Sequence, residues 1–293
     1  MVDAPKNIAA SINRRLLNYS REIGADPNLV LVWYGLERLL YRLSLSPLAD
    51  RFVLKGAMLF RLWDGDTFRA TRDLDLLSFI RAEASTVTAA FRTICQQQVP
   101  DDGVVFDPSS VQVEPILEQQ EYGGLRVRVA GKLGNARLSL RIDVGFGDAI
   151  TPAAFDASYP TLLGMPAPKI RVYPKETVIA EKFEAMVTRA MTNTRMKDYY
   201  DIWTLARRHV IDPIVLATAI RATFERRQIA LPRETPVGLT AEYSRDPAHQ
   251  SQWRAFVTRN LHELELQDEF ERVVKDIAGY LMPIVLDAVG KAD

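Results

Sequence analysis

Asp73 and Asp75, two carboxylates in Thr71-Arg72-Asp73-Leu74-Asp75-Leu76-Leu77, are the side chains of this sequence best placed to do chemistry. Strand alternation puts Asp73, Asp75 and Leu77 on one face and Leu74 and Leu76 on the other. Neighbouring carboxylates repel each other unless a divalent cation sits between them, and hard Mg²⁺, with its preference for oxygen ligands, suits the pair. Taken alone, Asp-x-Asp equally describes a solvated strand with two surface acids. A second feature lies upstream in Phe52-Val53-Leu54-Lys55-Gly56-Ala57-Met58-Leu59-Phe60-Arg61-Leu62-Trp63. The apolar run Phe52 to Leu54 ends at Gly56 and passes into a helical pattern with Met58, Leu59, Leu62 and Trp63 on one face. Glycine at such a junction allows close approach of a ligand to the backbone, and the first N–H groups of the helix can donate to a phosphate. Asp64-Gly65-Asp66 then breaks the helix.

The elements that must hold these residues can be read in chain order. Residues 7–23 carry Ile8, Ile12, Leu16, Leu17 and Ile23 near a period of 3.6, which predicts a helix. Asp26-Pro27-Asn28 caps a second helix, over about 29–45, with Leu31, Tyr34, Leu36, Leu39, Leu40 and Leu43 as its apolar set. Arg38 and Arg42, one turn apart on it, read as solvated helix arginines or as a grip on an RNA backbone. Beyond the Asp-x-Asp strand, residues 81–98 form a helix that buries Val87, Ala90, Phe91 and Ile94, with Cys95 packed beside them. Three strands follow: 111–117, in which Pro115 marks an edge or a bulge; 125–129, after the turn signal Tyr122-Gly123-Gly124; and 136–144, after Gly134-Asn135. In the last of these Arg137, Ser139, Arg141 and Asp143 share one face. Arg126, Arg128, Arg137 and Arg141 make a basic ladder that suits phosphates or RNA, or that offsets the acids.

Pro160, Pro166, Pro168 and Pro174 read as an extended connector and place a domain boundary near residue 160. Residues 1–160 then hold the N-terminal helices and the strand-rich core, and 161–293 a mostly helical C-terminal domain. Pro174 opens a helix whose buried stripe is Val178, Ile179, Phe183, Met186 and Val187, with Lys182 on the opposite side. Thr192-Asn193-Thr194 caps the next helix, 197–209, where Asp198 and Asp201 sit one turn apart and Lys197 pairs with Asp201. After His209 the signal fades. Residues 213–227 are helical with Arg221, Arg226 and Arg227 exposed, and two helices, 249–262 and 264–288, close the chain with Trp253, Phe256, Leu261, Leu264, Phe270, Val274, Ile277 and Leu281 as core.

Composition bounds the function. The 293 residues have a formal net charge of zero, so any nucleic-acid surface must be local. Cys95 is the single cysteine, which excludes an internal disulfide and a cysteine-based zinc site, and the three histidines have no metal-ligand spacing. No signal-peptide pattern or bilayer-length apolar run is present, so the expected location is cytoplasmic.

Five ordered segments together resemble the AbiEii/AbiGii nucleotidyltransferase toxin family, over about residues 8 to 210. They are Tyr41-Arg42-Leu43-Ser44, Phe52-Val53-Leu54-Lys55-Gly56-Ala57-Met58-Leu59, Thr71-Arg72-Asp73-Leu74-Asp75-Leu76, Glu176-Thr177-Val178-Ile179-Ala180-Glu181-Lys182-Phe183-Glu184-Ala185 and Arg195-Met196-Lys197-Asp198-Tyr199-Tyr200-Asp201-Ile202-Trp203. The resemblance implies a mixed α/β fold: a polymerase β-like nucleotidyltransferase sheet with flanking helices, and a helical C-terminal part that contributes Lys182 and Asp201 to the cleft. It implies a type IV toxin that transfers a nucleoside monophosphate from a nucleoside triphosphate to RNA and is neutralised by an antitoxin encoded nearby. In the related MenT toxins the acceptor is the 3′ end of tRNA, and translation stops.

By the same resemblance Gly56 belongs to the phosphate-gripping element, with Lys55, Ala57, Thr71 and Arg72 also at the nucleotide. Asp73 and Asp75 correspond to the carboxylates that hold Mg²⁺ or Mn²⁺. Asp143 corresponds to the third, on a neighbouring strand, which also accepts the proton of the attacking hydroxyl. Lys182 corresponds to the lysine on the triphosphate and Asp201 to an active-site aspartate, with Asp198 in the same motif. Ala57 departs from the serine of many polymerase β-like enzymes and removes one hydroxyl from the phosphate site. Two other readings remain: nucleotidylation of a protein hydroxyl, and a non-catalytic nucleotide- or RNA-binding module.

Overall fold

A computed structural model describes residues 7–65, 71–116, 123–260 and 269–290. Asp66, Leu117, Tyr122, Leu261 and Leu264, all used in the sequence reading, lie outside them. The fold is mixed α/β, with an eight-stranded mixed sheet and a C-terminal helical part. The chain forms two compact units: Met1–Gly147 with Phe155–Val172, and Asp148–Ala154 with Tyr173–Asp293.

The first unit runs α1 (Ile8–Glu22), α2 (Pro27–Leu45), β1 (Phe52–Lys55), α3 (Met58–Asp64), β2 (Asp73–Ser78), α4 (Ala84–Gln96), β3 (Val104–Phe106), β4 (Gln112–Pro115), β5 (Leu125–Leu133), β6 (Ala136–Phe146), β7 (Phe155–Ser158) and β8 (Lys169–Val172). The sheet order is β3-β5-β6-β2-β1-β8-β7, with β4 also on β5. Local chemistry sets the ends. The Asp26 carboxylate accepts the Asn28 N–H at 2.9 Å and starts α2, with Pro27 in the first turn where its missing N–H costs nothing. Gly134, at φ +57°, closes the β5–β6 hairpin.

Alternation divides the sheet into two faces. On one face Phe52, Leu54, Leu74, Leu76, Leu138, Leu140, Ile142 and Val144 are buried. Helix α2 packs on β6 there, and a methyl on Gly35 would stand 3.0 Å from Leu140. From α4, Phe91 meets Phe52 edge-on at 5.9 Å. Truncating one of these aliphatics, Ile142→Ala for example, removes about 2–5 kcal/mol. The opposite face carries the charged residues described below.

Three readings of this unit change. Arg38 and Arg42 are buried rather than solvated, and they face protein rather than RNA. Arg42 donates to both oxygens of buried Asp102, at 2.8 and 3.0 Å, and Arg38 lies 2.7 Å from Glu37. Ion pairing and hydrogen bonding make this burial tolerable. The proline-rich stretch contains β8: Pro166 and Pro168 precede the strand and Pro174 follows it, so none interrupts the ladder. Strands β3 and β7, of three and four residues, are too short for alternation to reveal.

The second unit holds α5 (Lys175–Arg189), α6 (Met196–Arg208), α7 (Pro213–Arg226), α8 (Ala241–Arg245), α9 (Pro247–Asn260) and α10 (Phe270–Gly290). Asp212 caps α7 by accepting the Ile214 N–H at 2.8 Å. Aromatic pairs fill its core, with Phe183 5.6 Å from Phe224 and Trp253 stacked 5.0 Å from Phe270. Val187 is only half-buried, while Glu184 on the same helix is buried. Arg227, expected at the surface, donates to Glu184 and pairs with Asp148, and this pairing explains why it is withdrawn from solvent. Among the described residues no helix is long and apolar enough to cross a membrane.

Candidate active-site residues

The strand register assembles a transverse row of charges on the second face of the sheet. Glu114 of β4 is opposite Arg126 of β5, Arg126 opposite Asp143 of β6, Asp143 opposite Asp75 of β2, and Asp75 opposite Lys55 of β1. A second row, two residues along, runs Gln112, Arg128, Arg141, Asp73. The structure therefore brings Asp73, Asp75, Asp143 and Lys55 together on one face, as side chains of adjacent strands.

The arginines are bound to the acids. Arg126 Nε and Nη2 donate to the two oxygens of Asp143, each at 2.8 Å. Arg141 Nε donates to Asp73 Oδ1 at 2.5 Å and its Nη2 donates to Oδ2. Arg128 donates to Glu114 at 2.6 Å. Of the two roles open for the ladder, these three arginines take the offsetting one. Hydrogen bonding to Asp143 raises the Arg126 pKa, and hydrogen bonding to Asp73 raises that of Arg141, so both guanidiniums stay charged.

Gly56 adjoins this row. Its φ is +71°, and a methyl built on it would stand 2.0 Å from Asp75 Oδ2 and 2.6 Å from Cγ. The close approach that calls for glycine is thus made by a carboxylate of the chain itself. Ala57 is buried at the start of α3, a helix of only seven residues with no side-chain cap. The Thr71 hydroxyl donates to the Asp73 carbonyl at 3.2 Å and fixes the approach to β2. Arg72 is exposed and pairs at 3.6 Å with Asp26, the cap of α2.

Three carboxylates on one face fit a hard divalent cation in donor type. They are not drawn into one cluster: among the described residues no group of three acidic, histidine or cysteine side chains is gathered closely enough to hold a metal. Two of the three are held by guanidiniums.

In the second unit Lys182 of α5 reaches two carboxylates of α6. Its Nζ lies 2.5 Å from Asp198 Oδ1 and 2.9 Å from Asp201 Oδ2. Both aspartates are fully buried, and Arg195 Nε donates to the other oxygen of Asp198 at 2.6 Å. Burial alone would raise the Asp198 carboxyl, but Lys182 and Arg195 outweigh it and hold it well below the usual carboxylate range. Lys182, Asp198 and Asp201 are thereby one charge-balanced cluster with Arg195.

The Arg126–Asp143 pair has a signal in the sequence that was missed above. The turn at Gly134-Asn135 lies eight residues after Arg126 and eight before Asp143, which sets them opposite each other. Arg195 had a local signal too, since it stands three residues before Asp198 at the start of α6; only the arrival of Lys182 depends on how α5 meets α6. Cys95 is buried, and burial pushes its thiol up to about 12, which suits a packing role.

Residues 38–276 match the family described as Nucleotidyl transferase AbiEii toxin, Type IV TA system. No curated protein matches the sequence. Two Helicobacter pylori crystal structures are similar: JHP933, and one solved under a provisional nucleotidyltransferase assignment. Each has a TM-score of 0.49 and 16% identity, over 92% of this chain and 99% of the other. With most of its length matched, the chain belongs to the AbiEii nucleotidyl transferase toxin family of type IV toxin–antitoxin systems.

Proposed function

We propose that this protein transfers a nucleoside monophosphate from a nucleoside triphosphate to the 3′ end of tRNA and so blocks translation, until an antitoxin encoded nearby neutralises it. Family membership supports the transfer chemistry and the antitoxin. The observation that carries the site assignment is the row Lys55, Asp75, Asp143, with Asp73 beside it on the same sheet face. A tRNA acceptor places the reaction in the cytoplasm.

The acceptor hydroxyl oxygen attacks the α-phosphorus in line; an oxygen–phosphorus bond forms there, the bond to the β-phosphate bridge breaks, and pyrophosphate leaves. Mg²⁺ or Mn²⁺, held by Asp73, Asp75 and Asp143, would offset charge on the phosphoryl oxygens and acidify the hydroxyl. Asp143 accepts the hydroxyl proton. Lys55, at the end of β1, adds positive charge beside Asp75. Lys182 supplies a compact cation for the triphosphate, and Asp201 and Asp198 hold its ammonium in place. The buried face beneath these strands fixes the backbone positions from which the three carboxylates extend.

The test is incorporation of each of the four labelled nucleotides into total tRNA, comparing wild type with Asp75→Asn, alongside growth on expression of wild type and Asp73→Ala without antitoxin. Labelling of tRNA by wild type only, with growth restored by Asp73→Ala, is the expected result. Label appearing in a protein and in no RNA would replace the tRNA reading with nucleotidylation of a protein hydroxyl. Equal growth arrest by wild type and folded Asp73→Ala would remove the catalytic explanation of toxicity.

A further inference from the structure

Asp73 and Asp143 are each gripped in a two-pronged fashion by an arginine of a neighbouring strand. Such fork-to-carboxylate pairs are among the strongest charge-assisted hydrogen bonds. They engage both oxygens of each carboxylate: a bidentate guanidinium takes one of the two lone pairs on each oxygen, and its charge repels a cation brought to the lone pairs that remain. The guanidiniums and a divalent cation are therefore competitors for the same two residues. Neither pair is deeply buried: the Arg126 and Asp143 side chains are 25% and 22% exposed. A partner can be exchanged there without leaving a charge stranded in apolar surroundings. Glu114, the register partner of Arg126 on the other side, is already held by Arg128, so a displaced Arg126 finds no vacant acid there.

We propose that Arg126 and Arg141 are internal counter-ions that a divalent cation displaces from Asp143 and Asp73, and that the triphosphate takes up the displaced guanidiniums. This rests on the reading of Asp73, Asp75 and Asp143 as metal carboxylates. Its consequence is thermodynamic coupling. A cation alone must break two ion pairs whose arginines gain no equal partner; a triphosphate alone meets guanidiniums already neutralised. Arriving together, each supplies the other's missing partner, so metal and nucleotide bind cooperatively. Arg126 and Arg141 are then positioning residues that set the order of assembly.

The experiment measures Mn²⁺ binding to the intact protein from the loss of the free-ion electron paramagnetic resonance signal, with and without a non-hydrolysable α,β-methylene triphosphate. The proteins are wild type, Arg126→Gln, Arg126→Lys, Arg141→Gln and Asp75→Asn, each checked by its thermal transition. Wild type should bind Mn²⁺ weakly alone and at least about tenfold more tightly with the analogue, after the Mn²⁺ that the analogue chelates without protein is subtracted. Arg126→Gln should bind Mn²⁺ alone about tenfold more tightly than wild type, as one charge-assisted grip on Asp143 is gone. The analogue should then add less, and Arg126→Lys, charged but unable to fork, should fall between. A merely structural pair would lower melting temperatures and leave the metal–nucleotide coupling unchanged, and that result overturns the proposal. If both glutamine variants match wild type while Asp75→Asn alone loses analogue-dependent Mn²⁺ binding, the counter-ion role is wrong and the metal reading stands. If wild type binds no Mn²⁺ under either condition, the metal reading fails and the counter-ion role falls with it.

Discussion

The Asp75 carboxylate lies so close to the Cα of Gly56 that an added methyl group would stand 2.0 Å from Oδ2. Two demands meet at this glycine: the positive φ and the space for the acid.

Gly56→Ala should therefore damage stability and activity together. The left-handed backbone costs on the order of 1 kcal/mol for alanine. Swinging the carboxylate out of its row relieves only part of the overlap, because the added methyl would also stand 2.7 Å from the Asp75 Cβ, which moves only with the strand. A thermal transition lowered by roughly 5–10 °C, together with a loss of nucleotide incorporation of about a hundredfold, is expected. Incorporation at the wild-type rate would show that the placement of Asp75 against Gly56 is dispensable.

Lys182→Ala should lose both stability and nucleotide affinity. Two fully buried carboxylates lose a shared cation, an event that costs about 3–5 kcal/mol in buried pairs. The nucleotide effect has to be measured below the variant's own transition. There, incorporation at limiting nucleotide should fall roughly ten- to a hundredfold, the size of one lost charge-assisted contact. Lys182→Arg keeps the charge and changes reach and shape, so it should recover only part. If Lys182→Ala labels as fast as wild type at limiting nucleotide, Lys182 has no role at the triphosphate.

Asp198 makes a prediction about pH. Its folded-state pKa is depressed by Lys182 and Arg195 despite burial, so folding favours the charged form. The stability it contributes is present in full above the unfolded carboxylate value, about 3.9, and is lost as pH falls from there toward the lower folded value. The melting-temperature gap between wild type and Asp198→Asn should stay constant from about pH 7 to 5 and narrow below about pH 4. A gap that widens in acid would mean that the folded state favours the protonated form.

Much of the fold and part of the site can be read from local sequence. Helix α2 announces itself through Asp26 and Pro27, and β6 through its clean alternation. The Asp73–Asp75–Asp143 face follows from alternation once the strands are known to be neighbours. What escapes local reading depends on partners far along the chain. Arg42 looks like a surface arginine because Asp102, which makes its burial tolerable, is sixty residues away. Lys182 and Asp198 are sixteen apart on separate helices, and only the packing of α5 on α6 makes them one cluster. Arg227 likewise gave no sign of Glu184.

The in-register row also limits how the gene can change length. Strand β6 carries Ile142 and Val144 toward the buried face and Asp143 toward the other. Inserting or deleting a single codon between the Gly134 turn and Asp143, with the hairpin pairing kept from the turn outward, reverses the facing of everything beyond it. The acid would then point into the apolar layer and an aliphatic side chain would stand between Arg126 and Asp75. One such event takes a carboxylate out of the row and buries a charge at once, and even a two-residue change, which keeps the facing, moves Asp143 from its place opposite Asp75.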